Sequence, residues 1–93
     1  QPLVSNLDLS LEKIDFALFP NPAGNAVWLA FGQALESKAQ VNMFNMAGQL
    51  VHSEQMAAGQ ERMQVQLTHL PKGIYAVRVE TEGGVGVRKL IVE

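Results

Sequence analysis

Apolar residues in this chain recur at every second position, stretch after stretch, which is the pattern of strands that bury one face. Ile14, Phe16 and Leu18 alternate, then Val27, Leu29 and Phe31, then Val41 and Met43 with Phe44 turned the other way. Met63, Val65 and Leu67 form a further run, followed by Tyr75, Val77 and Val79, between which Ala76, Arg78 and Glu80 face away. No stretch carries a comparable helical period.

Turn formers punctuate these runs. "FPNPAGN" holds two prolines that each fix φ and remove a backbone donor, so it reads as a corner. "GQALESK" is a loop, "MAGQ" supplies a glycine for a tight turn, and "LVHSEQMA" is the returning arm of that hairpin before "AAGQE" breaks the pattern. Gly83-Gly84 signals a two-residue hairpin into a closing strand from Val85 to Val92. In "HLPKGIYAV", proline and glycine at a sharp bend precede a tyrosine that opens a strand, the arrangement of a tyrosine corner, with the Tyr75 hydroxyl bonded to backbone a few residues upstream. Together these features predict an all-β fold, an immunoglobulin-like antiparallel β-sandwich of about seven short strands, with a small barrel as the alternative. Leu7, Leu9 and Leu11 alternate in the opposite phase to Ile14 onward, so a break is expected at Glu12-Lys13. Residues 1–13 then read as a linker, with an edge strand as an option, and residues 14–93 as the domain.

At 93 residues the chain holds a single modest core. Its formal charge of -2, with scattered basic residues, gives no footprint for nucleic acid or an anionic membrane. Cysteine is absent, which excludes disulfides, thiolate metal sites and thiol nucleophiles. No apolar run approaches the roughly 18 residues of a membrane span. "QPLVSNLDLS" lacks the basic head and apolar stretch of a signal peptide, and the start at Gln1 leads us to expect a piece of a longer chain.

Nothing in the pattern assembles a catalytic centre. His52 and His69 lack the paired spacing of a metal site and are expected to stand apart, without a second histidine or carboxylate beside either. The carboxylates are dispersed, no alternating Asp and Asn loop for calcium occurs, and the serines lack a nucleophile-elbow context. Gly83, Gly84 and Gly86 precede a strand and not a helix, so no phosphate loop is expected. Neither a cofactor nor a metal is expected. Met43, Met46, Met56 and Met63 are expected to fill the core.

The ending "VRKLIVE" raises its own question, since chain ends are usually polar and poorly held. Taken in order, "LFPNPAGN", "VNMFNMAGQLV", "LTHLPKGIYAVRVE" and "VRKLIVE" resemble the C-terminal sorting domain of cargo proteins of the type IX, or Por, secretion system. The likeness spans about residues 14–93. Pro20, Asn21 and Pro22 match the family's opening motif, and Gly48 with Gln49 and Leu50 its central turn. Leu70, Gly73, Ile74 and Tyr75 match an L-x-x-G-x-Y element, while Lys89, Leu90, Ile91 and Val92, preceded by Arg88, match a basic-then-aliphatic ending. Asn45 stands where aspartate is frequent, and Glu93 where lysine is common.

The resemblance implies an address label attached to an upstream passenger. Such domains are recognised in the periplasm by type IX translocon components, cross the outer membrane of a Gram-negative bacterium, and are removed by a sortase-like cysteine peptidase during attachment at the cell surface. The cut would fall within or before residues 1–13. The terminal strand either presents an edge to the machinery, read with Arg88 and Lys89, or merely completes the sandwich. An edge-strand or domain-swapped homodimer is compatible with this role. The competing reading is a non-catalytic binding or adhesion module, carbohydrate-directed or otherwise, whose lone tryptophan, Trp28, falls out of phase with Val27 and Leu29 and so faces outward.

Overall fold

The computed structural model describes residues 12–93. The alternation at Leu7, Leu9 and Leu11 and nearly all of the expected linker lie outside the described residues.

Eight strands follow in order: β1 (Glu12–Lys13), β2 (Ala17–Phe19), β3 (Ala26–Ala30), β4 (Ala39–Phe44), β5 (Leu50–Met56), β6 (Arg62–Gln66), β7 (Gly73–Thr81) and β8 (Gly84–Val92). They form a five-stranded sheet in the order β1-β8-β7-β4-β5 and a three-stranded sheet in the order β2-β3-β6. All seven expected strands are present, and the phase break at Glu12-Lys13 is where the short eighth one forms. That pair departs from the antiparallel rule, because β1 runs parallel to β8, with Glu12 opposite Gly84 and Lys13 opposite Val85.

Period-two alternation builds the core directly. Val27 and Leu29 of β3, Val41 and Met43 of β4, Val77 and Val79 of β7, and Leu90 and Val92 of β8 are all buried. Val65, Met56 and Phe16 join them between the sheets. Met46 overturns the expectation that every methionine fills the core, since it is 77% exposed on a hairpin tip.

The β7–β8 hairpin pairs from Gly73 opposite Val92 to Thr81 opposite Gly84. Gly84 is thus the last rung, and the two loop residues are Glu82 and Gly83, one position earlier than the Gly83-Gly84 signal indicated. The observed register sets Leu90 opposite Tyr75 and Val92 opposite Gly73, with both aliphatic side chains buried. Gly86 is required for a different reason. A Cβ there would lie 2.2 Å from the Ile14 carbonyl oxygen, so the chain entering the sandwich crosses β8 where no side chain intervenes.

Candidate recognition surface at the terminal strand

The four sequence landmarks fold to one end of the sandwich. Residues 20–25 join β2 to β3, residues 45–49 join β4 to β5, and residues 67–72 join β6 to β7, all at the end where β8 finishes. The entering segment, the β7–β8 turn and the loop over residues 31–38 occupy the opposite end. With β8 nine residues long and a rise of about 3.3 Å per residue, roughly 27 Å separates the two ends.

The Pro20-Asn21-Pro22 corner meets the final strand directly. Both peptide bonds preceding the prolines are cis. The Asn21 side-chain amide donates to the Lys89 carbonyl at 2.9 Å, and its oxygen accepts the Ile91 N–H at 3.0 Å. Ala23 continues this contact through backbone, donating to the Ile91 carbonyl at 2.7 Å and accepting the Glu93 N–H at 2.8 Å. At the other end of the same edge, the Ile14 N–H reaches the Val85 carbonyl at 3.0 Å. Odd-numbered residues of β8 therefore aim their backbone groups at this free edge. Between the two capped stretches, the Val87 N–H and carbonyl and the Lys89 N–H meet no described backbone group. They face an open notch of about 460 Å³ lined by Ala17, Leu18, Asn21, Val87, Arg88 and Lys89.

The ending is thus both locked and displayed. Leu90 and Val92 are buried, Ile91 is half-buried, and Val87, Arg88 and Lys89 are exposed. Arg88 reaches Asp15 of the entering segment at 3.0 Å, an exposed pair of small energetic weight. Removing the last residues would strip Leu90 and Val92 from the core, so truncation cannot separate a reading role from a folding role.

Gly48 takes φ +82°, a left-handed conformation that closes the β4–β5 turn. Asn45 organises that turn. Its side-chain oxygen accepts the N–H groups of Ala47 and Gln49, each at 3.0 Å, and its amide donates to Gln49 Oε1 at 2.9 Å. An aspartate could serve both backbone donors, so the departure from the family's frequent residue preserves the turn and adds one bond. The outer sheet face beside this turn is apolar: Met46, Leu50 and Ile74 are exposed, and Ile91 lies opposite Ile74. Lys89, Ala76, Phe44 and Leu50 form the next row across four strands. Sequence reasoning named Leu50 and Ile74 as motif matches but not as neighbours, because neighbours across strands depend on register.

Tyr75 forms the expected corner. It is buried, and its hydroxyl donates to the Pro71 carbonyl at 2.5 Å. Gly73 has φ +157° at the bend, and Leu70 packs partly buried against the core. Tyr75 and Leu70 thereby hold the corner that carries Ile74 to the surface.

The histidines contradict the expectation that they stand apart. His52 Nδ1 lies 3.0 Å from His69 Nε2, and His52 Nε2 lies 2.8 Å from Glu54 Oε1. The turn before β7 brings His69 against β5, a closure that sequence separation conceals. Glu54 was findable, since residues two apart on a strand share a face. Among the described residues no group of three or more His, Asp or Glu converges as metal ligands do.

Trp28 lies half-buried on the outer face of the three-stranded sheet, opposite Phe19, which is 42% exposed. The Arg62 guanidinium sits 5.2 Å from the centre of its ring. One face of the ring is therefore already covered by a cation, which leaves it a poor platform for stacking a sugar.

A family model described as a secretion system C-terminal sorting domain matches residues 17–93. Among solved structures, dimeric latent PorU from Porphyromonas gingivalis is similar, at 24% sequence identity and a TM-score of 0.59. That alignment covers 84% of this chain and 9% of the PorU chain, and it shows a shared fold. A search of the curated proteins returned no match.

Proposed function

The chain belongs to the secretion system C-terminal sorting domains, the tails that mark cargo for the type IX system, and we propose that its motif end is the surface this system reads. Such a tail marks its protein for the cell surface or the surroundings of a Gram-negative bacterium. The observation that carries the proposal is the joining of Asn21 to Lys89 and Ile91, which makes one surface from motifs at opposite ends of the sequence. The signal is then a folded patch and not a linear tail.

Three features of that patch suit recognition. The notch at Val87–Lys89 offers two N–H groups and a carbonyl for strand addition. Arg88 and Lys89 add positive charge beside it. The exposed apolar side chains Met46, Leu50 and Ile74 supply an adjoining hydrophobic contact. Translocon components would bind there in the periplasm, leaving the linker end free for the passenger. A sortase-like cysteine peptidase would then cut within or before residues 1–13. In this reading the domain acts as an address and performs no chemistry itself.

The test joins residues 1–93 to a periplasm-directed fluorescent reporter, expressed in a bacterium with an intact type IX system and in a translocon mutant. Surface delivery confined to the intact strain, with loss of the domain mapped by mass spectrometry, is the expected result. A folded reporter that stays periplasmic in both strains would overturn the proposal.

A further inference from the structure

We propose that His52 and His69 together form a two-nitrogen site for a borderline transition-metal cation, Cu²⁺, Ni²⁺ or Zn²⁺. The site lies at the same end of the sandwich as the motifs but against edge strand β5, with β7 and β4 between it and β8 in the five-stranded sheet. His52 projects from the inner face of edge strand β5, in register with Met43, and His69 arrives from the turn before β7.

The spacing of the two nitrogens suits a shared cation. Imidazole binds such metals at about 2.0–2.1 Å, which places two ligating nitrogens about 2.9 Å apart at a right angle and about 3.3 Å apart at the tetrahedral angle. The observed separation is 3.0 Å, with ring centres 5.0 Å apart and planes inclined by 43°. Small ring rotations aim both lone pairs at one point between the rings.

Glu54 prepares the first ligand. With the Glu54 carboxylate as acceptor, His52 Nε2 carries the hydrogen, and the His52 Nδ1 lone pair faces His69. A carboxylate behind a ligating histidine fixes its tautomer and raises its basicity in this way. In the metal-free pair the hydrogen between the rings belongs to His69 Nε2. On binding, that hydrogen moves to His69 Nδ1, the cation takes its place, and both imidazoles stay neutral. Access is open, because the His52 side chain is 19% exposed and His69 is exposed, so water fills the remaining coordination positions.

The test is calorimetric titration of CuCl₂, NiCl₂ and ZnCl₂ into the untagged chain of residues 1–93, with thermal melts in EDTA and in excess metal. One saturable equivalent is expected, tightest for Cu²⁺. The melting temperature should rise by roughly 10 °C at free metal a hundredfold above its dissociation constant. His69→Gln, on an exposed turn, should abolish both effects while its melt in EDTA stays within a few degrees of the parent. Glu54→Gln should weaken binding by about tenfold. No saturable binding of any of the three cations, or binding that persists in His69→Gln, would overturn the proposal. His52→Gln provides a second check on the same pair.

Discussion

Asn21 accepts the backbone N–H of Ile91 at 3.0 Å, so a side chain 70 residues upstream stands in for a neighbouring strand along the last rungs of β8. An unpaired strand edge is a template for association, and a carboxamide that donates and accepts blunts it as a backbone would. This cap is also exposed, so an incoming strand could displace it without disturbing the core.

Replacing Asn21 by alanine should therefore act on stability and association together. Loss of its two bonds to β8 should cost about 1–2 kcal/mol, lowering the melting temperature by several degrees. Light scattering should show increased self-association, because Lys89 and Ile91 join Val87 on an open edge. A monomeric variant with unchanged melting would show that the cap is incidental.

Gly86→Ala tests the crossing at the entering segment. Its Cβ meets backbone at 2.2 Å and the Phe16 ring at 3.2 Å, so the Ile14 segment must move. A loss of about 1–3 kcal/mol is expected in urea unfolding, since overpacking against backbone cannot be relieved by a rotamer change. Limited proteolysis should cut residues 12–16 faster than in the parent. Equal protection in both proteins would mean that the crossing relaxes freely.

Tyr75→Phe removes only the hydroxyl that reaches Pro71. The expected loss is about 1 kcal/mol by chemical denaturation, with the ring still packed in the core. Reporter delivery at a temperature where the variant stays folded should match the parent. Delivery lost from a folded Tyr75→Phe domain would assign this corner a direct role in recognition.

Arg88→Ala and Lys89→Glu separate reading from folding where truncation cannot. Both side chains are exposed, and the Arg88–Asp15 pair contributes at most about 1 kcal/mol. Circular dichroism and melting should therefore change little, while surface delivery of the reporter falls. Full delivery by the double variant would remove the basic pair from the recognition surface.

The fold was legible because each strand states its own inner face. Val41 and Met43, Val77 and Val79, or Leu90 and Val92 need only the alternation of the pleat to declare burial. Tyr75 was legible because a tyrosine corner is local, its acceptor lying four residues away. Met46 was misjudged because a methionine's composition favours burial while its place on a tight turn decides against it.

What the sequence determined by itself was therefore everything carried by short-range pattern: the strands, the glycine turn at Gly48, the corner at Tyr75 and the family motifs. Tertiary structure alone decided which of these motifs touch. The Asn21 contact with Lys89 and Ile91, the apolar row ending at Leu50, and the pairing of His52 with His69 all depend on strand order and register. Those are set by closing the whole core at once, through contacts between residues far apart in the chain, and no local period records them.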